Sequence, residues 1–287
     1  MVHTGAVGHG AVRRLRRLAG GVPILMYHLV SDRAPATFHS YTVSPAAFRR
    51  QIATITRMGF RSVTMDDLAT ARAGGSRLPR RPVVITFDDG FRDCLRYAAP
   101  VLHDAGLTAT MYVVAGLLGD TSRWMAAQGV DLPLLTRTEL MDLEQAGVRC
   151  ESHALTHPRL ASLSTSKVSH ELTASRRVLE DALGRPVRHL AYPHGSQDAR
   201  VRAAAREAGY VSACTTRPGK ALPEDDDFAL PRAKVDGRDG TTDFVSRLLT
   251  SKEAGYAMRR LTGRTRKEDG PVEPSQLGAG GPDATAP

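Results

Sequence analysis

Val83-Val84-Ile85-Thr86-Phe87-Asp88-Asp89-Gly90 is the stretch whose reading decides the fold of this 287-residue chain. An uncharged apolar run ends abruptly in two adjacent carboxylates and a glycine. Such a run reads as a strand buried on both faces, as in a parallel sheet. Side chains alternate along a strand, so Asp88 and Asp89 cannot both sit passively on one exposed face. At a strand end they can divide two jobs, one binding a metal and the other handling a proton. Asp-Gly is also a common turn dipeptide, so the surrounding chain has to decide between a site and a plain turn.

The surroundings repeat one theme: amphipathic helix, glycine, short strand. Ser44-Pro45 is an N-cap followed by proline at the first helical position, with Phe48, Ile52 and Ile55 at helical spacing. Gly59 then precedes Phe60-Arg61-Ser62-Val63. Leu95, Ala99 and Leu102 form the next stripe, stopped by Gly106 before a strand from Thr108 to Val114. Thr136 and Glu139 form a capping box ahead of Leu140 and Leu143, and Gly147 precedes Val148-Arg149-Cys150. Val168, Leu172, Leu179 and Leu183 mark a longer helix ending at Gly184. Val201, Ala205 and Ala208 mark another, ended by Gly209 before Tyr210 to Cys214. Glycine just past a helix is the expected stop signal. With an opening strand from Val22 to His28, these units predict an α/β fold with a mainly parallel sheet. No GxGxxG follows an early strand, so a dinucleotide site is unsupported.

Composition excludes several classes. The net charge is +9, and Arg13, Arg14, Arg16 and Arg17 contribute four of those charges in an acid-free arm. No aromatic residues interleave them, so residues 1–20 read as a solvated basic arm, with no nucleic acid expected as a partner. Residues 256–287 turn basic, then rich in Gly, Pro and Ala without apolar periodicity, which predicts a disordered tail. Cys94, Cys150 and Cys214 are widely spaced and read as buried thiols. No transmembrane stretch is visible. Leu18 to Met26 makes a poor signal-peptide core, so a cytoplasmic location is the default expectation, and secretion would require a different start or an unconventional route.

Four strand ends carry polar groups, and in barrels and open sheets alike chemistry sits at the C-terminal ends of strands. Asp88 and Asp89 are the first. The second is Ser152-His153-Ala154-Leu155-Thr156-His157-Pro158. Pro158 disfavours helical geometry at His157, so this is a loop after the Val148 strand rather than a helix stacking two histidines. One carboxylate and two imidazoles leave positions open on Zn²⁺ for water and substrate. The third is Tyr192-Pro193-His194-Gly195, a loop that can aim a backbone N–H at a developing oxyanion. The fourth is Met26-Tyr27-His28. Trp124 can stack on a sugar ring or anchor a loop.

On these residues the chain resembles the polysaccharide deacetylases, the NodB-homology group of carbohydrate esterase family 4. The resemblance spans roughly Pro23 to Leu249. Thr86-Phe87-Asp88-Asp89-Gly90 is similar to the family's first motif and Ser152 to His157 to its second, with Tyr192 to Gly195 and Leu230-Pro231-Arg232 as softer matches. It implies a distorted (β/α) barrel of about seven strands, occupying residues 21–250 as a single catalytic domain. It further implies a divalent metal, usually zinc, on Asp89, His153 and His157, with Asp88 as general base. Ala191 stands where many members carry a base-orienting Arg, a role that Arg232 can fill from another strand end. The late histidine that serves as general acid is also missing, because no histidine follows His194. His28 is the first candidate to replace it and His194 the second. The implied reaction removes acetyl groups from an N-acetylated amino-sugar poly- or oligosaccharide. An O-acetyl ester of xylan type, or a non-catalytic carbohydrate-binding relative, are the alternatives. Oligomeric state is not legible.

Overall fold

The computed structural model describes residues 21–250; the basic arm and the terminal tail read from the sequence lie outside them. Seven parallel strands form the frame: β1 (Ile24–Tyr27), β5 (Pro82–Phe87), β6 (Ala109–Val113), β7 (Val148–Ser152), β8 (His189–Ala191), β9 (Ser212–Pro218) and β10 (Leu230–Lys234). Consecutive neighbours pair from β5 through to β10, and β1 pairs with both β10 and β5, which closes the sheet into a barrel. A two-residue strand, β4 (Arg61–Ser62), adds to the start of β5, while β2 (Leu29–Val30) and β3 (Thr42–Val43) pair apart from the barrel. A distorted seven-stranded (β/α) barrel is thus the observed fold.

The helices are α1 (Pro45–Arg57), α2 (Met65–Arg72), α3 (Ala99–Asp104), α4 (Arg137–Gln145), α5 (Thr165–Leu183), α6 (Ala199–Glu207) and α7 (Thr241–Leu249). Their ends follow the sequence signals. The Ser44 side chain caps α1 by accepting from the Ala47 N–H, and Thr136 and Glu139 close a reciprocal box on α4. Gly184 ends α5 in the left-handed conformation. Three readings need correction. The segment Phe60–Val63 yields only a two-residue strand. The stripe at Leu95 begins as a turn of π-helix over Cys94–Ala98, which buries Cys94 and Ala98 while Leu95 is only partly covered. The strand read as Tyr210–Cys214 starts at Ser212 and runs on to Pro218.

Strand alternation sorts the core into two layers. Leu25, Tyr27, Val83, Ile85, Phe87, Met111 and Val113 point outward and pack against the helices. Ile24, Val84, Tyr112, Ala191, Cys214 and Leu230 form the smaller interior cluster. Met65 and Leu68 of α2 join that inner cluster, so this helix plugs one end of the barrel. Strand β5 is therefore apolar on both faces up to its charged end, as the Val83 run requires. Moving along the inner face of β5 from Val84 to Thr86 and Asp88, the lining turns from apolar to charged. The open end of the barrel is where polar groups collect. All three cysteines are free and buried. Among the described residues no helix is long and apolar enough to cross a membrane.

Candidate active site

Asp88 shares the inward face of β5 with Thr86, and Arg232 shares that of β10 with Leu230. The two side chains meet inside the barrel mouth. The Arg232 guanidinium donates two bonds of 2.7 Å, one to each Asp88 carboxylate oxygen. It also donates to the Thr215 carbonyl at 3.0 Å and to Thr86 Oγ1 at 3.2 Å. Thr86 Oγ1 in turn donates to the Leu25 carbonyl at 2.7 Å. Arg232 is 0% exposed and Asp88 2%. Burial pushes the Asp88 carboxyl up, but the charge and hydrogen bonds of Arg232, with His153 and His28, together outweigh it and hold Asp88 below its ordinary value. Two parallel charge-assisted bonds fix the carboxylate plane as well as its charge.

Asp89 departs from strand geometry. Its φ of +76° turns the chain at the end of β5 and sends its carboxylate toward the loop after β7. There Asp89 Oδ1 lies 3.4 Å from His153 Nε2 and 3.2 Å from His157 Nε2. One ligand atom from each residue lies within 4.8 Å of the others. His153 Nδ1 is 2.7 Å from the Ala191 carbonyl, so the protonated tautomer at Nδ1 leaves the Nε2 lone pair free. Burial raises Asp89, yet hydrogen bonds from His153 and His157 hold it well below the usual carboxylate range. Burial lowers His157. An ionised carboxylate beside a neutral imidazole is the protonation state that ligation of a cation needs. The donor set fits a divalent ion.

The loop bearing both histidines is bent into place. Among the described residues, five non-glycine positions have positive φ, and four of them are Asp89, Ala154, His157 and His194. Residues held in the sparsely populated left-handed region concentrate where function over-determines them. His194, in a short turn between Pro193 and Gly195, sets its ring 4.6 Å from that of His157. Burial first, then His157 and Arg159, lowers His194 to about 4.

His28 follows β1 on the opposite side of Asp88, its Nε2 4.0 Å from Asp88 Oδ2. Burial lowers its pKa, opposed by Asp89 and Asp88. Its Nδ1 is buried without a partner. The structure thus brings all seven sequence-selected residues, Asp88, Asp89, His28, His153, His157, His194 and Arg232, to one cleft of about 690 Å³. Trp124 stacks on His157 at 4.5 Å while lining the cleft, so the anchoring role and a wall position coincide. Among the lining residues that escaped the sequence reading are Tyr41 and Lys234. Tyr41 sets its ring 4.8 Å from His28, and Lys234 Nζ sits 3.6 Å above the Tyr41 ring. Lys234 was findable, since the strand period puts it on the same face as Arg232. Tyr41 lies in an irregular segment with no periodic signal.

A closed parallel barrel that gathers a carboxylate, two imidazoles and a clamped second carboxylate at its strand ends defines a hydrolase of the deacetylase class. A family model described as polysaccharide deacetylase matches residues 75–213, and the chain is related to that family. YxkH of Bacillus subtilis, named for the polysaccharide deacetylases, is 26% identical over 214 residues, covering 75% of this chain and 71% of that protein. The poly-beta-1,6-N-acetyl-D-glucosamine N-deacetylase of Staphylococcus aureus is 22% identical over 207 residues, 68% of each chain. Among solved structures, the Streptococcus pyogenes deacetylase PplD in complex with acetate superposes with a TM-score of 0.71 at 23% identity, covering 80% of this chain and 99% of that one. That likeness establishes the fold.

Proposed function

We propose that the chain hydrolyses the N-acetyl group of an amino-sugar poly- or oligosaccharide, with Asp88 as general base. The observation that carries this reading is the Asp89–His153–His157 cluster beside a second carboxylate that Arg232 holds by both oxygens. Asp89, His153 and His157 would hold a divalent ion, zinc being suited to one carboxylate and two imidazoles. When bound, such an ion supplies Lewis acidity to water and to the acetyl carbonyl.

The chain's own residues handle geometry and protons. Asp88 is ionised at neutral pH and accepts the proton of the attacking water. The Arg232 fork keeps its carboxylate from rotating away and stabilises the charge until the proton arrives. A depressed pKa makes Asp88 a weak base, so it serves best toward a water that has already been acidified. The backbone N–H of His194 is assigned to the tetrahedral oxyanion, since it lies in a loop at the cleft wall. His28 is assigned to the leaving nitrogen. Its imidazole is neutral at rest, and its lowered pKa makes the protonated form a strong donor once a proton reaches it. The His194 ring packs on His157, whereas His28 sits beside Asp88, so His28 is the better placed of the two to receive the proton that Asp88 takes up.

The N-acetyl assignment draws on the kinship with the staphylococcal poly-N-acetylglucosamine enzyme. The test is acetate release from N-acetylglucosamine oligomers of β-1,4 and β-1,6 linkage and from acetylated xylan, with zinc restored, for wild type beside Asp88→Asn. Release from an amino-sugar oligomer that Asp88→Asn abolishes supports the reading. Release from xylan alone would reassign the chain as an O-acetyl esterase. No release from any substrate by a zinc-loaded chain would favour a carbohydrate-binding relative.

A further inference from the structure

Glu171 is a buried carboxylate that the proposed chemistry does not use. It sits on α5, 8% exposed, and all of its hydrogen bonds found in the structure go to the histidine loop. One oxygen accepts the Leu155 N–H at 2.9 Å and the Thr156 N–H at 3.0 Å. The other accepts the Thr156 hydroxyl at 2.6 Å. The carboxylate therefore grips the two residues between Ala154 and His157.

The opposite side of the loop is held as well. Ala115 N–H donates to the Ala154 carbonyl at 3.1 Å and Gly116 N–H to the Leu155 carbonyl at 2.8 Å. Gly116 is pressed so close that a Cβ there would meet the Leu155 oxygen at 2.6 Å. Each polar group of the Leu155 backbone thus has a fixed partner, one from a helix and one from the β6 side. The loop needs that grip. Ala154 and His157 both sit at positive φ, +63° and +66°, conformations that non-glycine residues hold only when their surroundings over-determine them. Releasing one side lets His157 relax away from Asp89.

We infer that Glu171 is a positioning residue for the metal site, fixing the loop so that the imidazoles of His153 and His157 meet Asp89 before any ion arrives. This rests on the metal reading of the preceding subsection. Partners one layer out from the ligands typically govern affinity by roughly 10–100-fold. Glutamine can preserve much of the grip, because its carbonyl accepts both N–H groups and its amide donates to the Thr156 hydroxyl.

The test measures zinc affinity of the full chain by competition with a chromophoric chelator, alongside unfolding of the metal-free protein. Glu171→Ala is expected to weaken zinc binding by roughly 10–100-fold, and Glu171→Gln to restore most of it. Leu179→Ala, a core truncation two turns further along α5, controls for lost stability and should leave zinc affinity unchanged. Should Glu171→Ala fail to fold, Thr156→Val removes only the hydroxyl bond and must still weaken zinc binding. Wild-type affinity in Glu171→Ala, or in Thr156→Val, overturns the inference alone. So does an equal loss in Leu179→Ala. A wild-type chain that takes up no zinc overturns the metal reading itself, and the inference with it.

Discussion

Replacing Arg232 by methionine tests whether the base is made by its clamp. The substitution keeps much of the side-chain volume and removes the only arginine bonded to Asp88 among the described residues. In the wild type the folded pKa of Asp88 lies below its unfolded value near 3.8. Its stabilising contribution is therefore present above pH 3.8 and lost as pH falls through the depressed folded value. Without Arg232 the burial effect is opposed by His153 and His28 but no longer by the guanidinium, and the folded pKa is expected to rise above 3.8. The sign then inverts: no penalty below pH 3.8, and a growing one as pH climbs toward the raised value. Removing one partner of a buried pair costs about 3–5 kcal/mol. The pH-dependent part of that cost grows as pH rises above the unfolded value, by at most roughly 1.4 kcal/mol per pH unit. The lost bonds to Thr215 and Thr86 add a part that does not vary with pH.

Urea unfolding of metal-free wild type and Arg232→Met from pH 4.5 to 8 reads the difference directly. Asp89 stays ionised in the folded wild type across this range, and the change in His28 that loss of Arg232 brings is carried equally by the double variant below. The double variant Asp88→Asn/Arg232→Met has no carboxylate left to titrate there, so its difference from wild type should lose the steep slope. A difference between Arg232→Met and wild type that stays flat with pH, or totals less than about 1 kcal/mol at pH 7, against the expected 3–5, refutes the reasoning.

Asp88→Asn is expected to retain zinc while acetate release falls by roughly 10²–10⁴-fold, the usual contribution of a general base; chelator competition and an acetate assay check both halves. His157→Ala should lower zinc affinity by more than the roughly 10–100-fold that outer-layer losses cost. His28→Gln should reduce turnover while leaving zinc affinity unchanged, and full turnover in that variant would remove His28 as proton donor. Trp124 is the single tryptophan of the chain and stacks on His157, so a paramagnetic ion such as Co²⁺ entering the cluster should quench the intrinsic fluorescence. Quenching should be lost in His157→Ala, and fluorescence unmoved by a bound ion would count against the cluster as its site.

Much of the frame was legible because barrel strands buried on both faces and helices with strong stop signals obey local rules. The Val83 run, the Ser44 and Thr136 caps and Gly184 are cases where composition and geometry agree. What escaped depends on tertiary contact. The plug helix α2 carries only Met65 and Leu68 as buried apolar residues and has no broad stripe to announce it. Strand β10 contains Pro231 and two basic residues, a pattern that reads as edge or loop; the barrel accepts it because Arg232 finds a carboxylate inside. Helix α7 was passed over, although Phe244 and Leu248 are buried at helical spacing. In the cleft, the residues with a motif around them were found. Tyr41 was not, nor, outside the cleft lining, were Glu171 and the role of Gly116, since each acts through partners distant in sequence.

The span of 144 residues between Asp88 and Arg232 has a bearing on how the molecule assembles. The matched family region, 75–213, contains the three cluster residues but neither Arg232 nor His28. A chain emerging from the ribosome makes Asp89, His153 and His157 well before it makes Arg232, the partner of Asp88. Until β10 docks between β9 and β1, closing the barrel would bury Asp88 as a bare anion, which is costly. The strand that completes the barrel is thus also the strand that brings the counter-charge. A barrel sealed by β10 therefore already holds the Asp88 carboxylate by both oxygens.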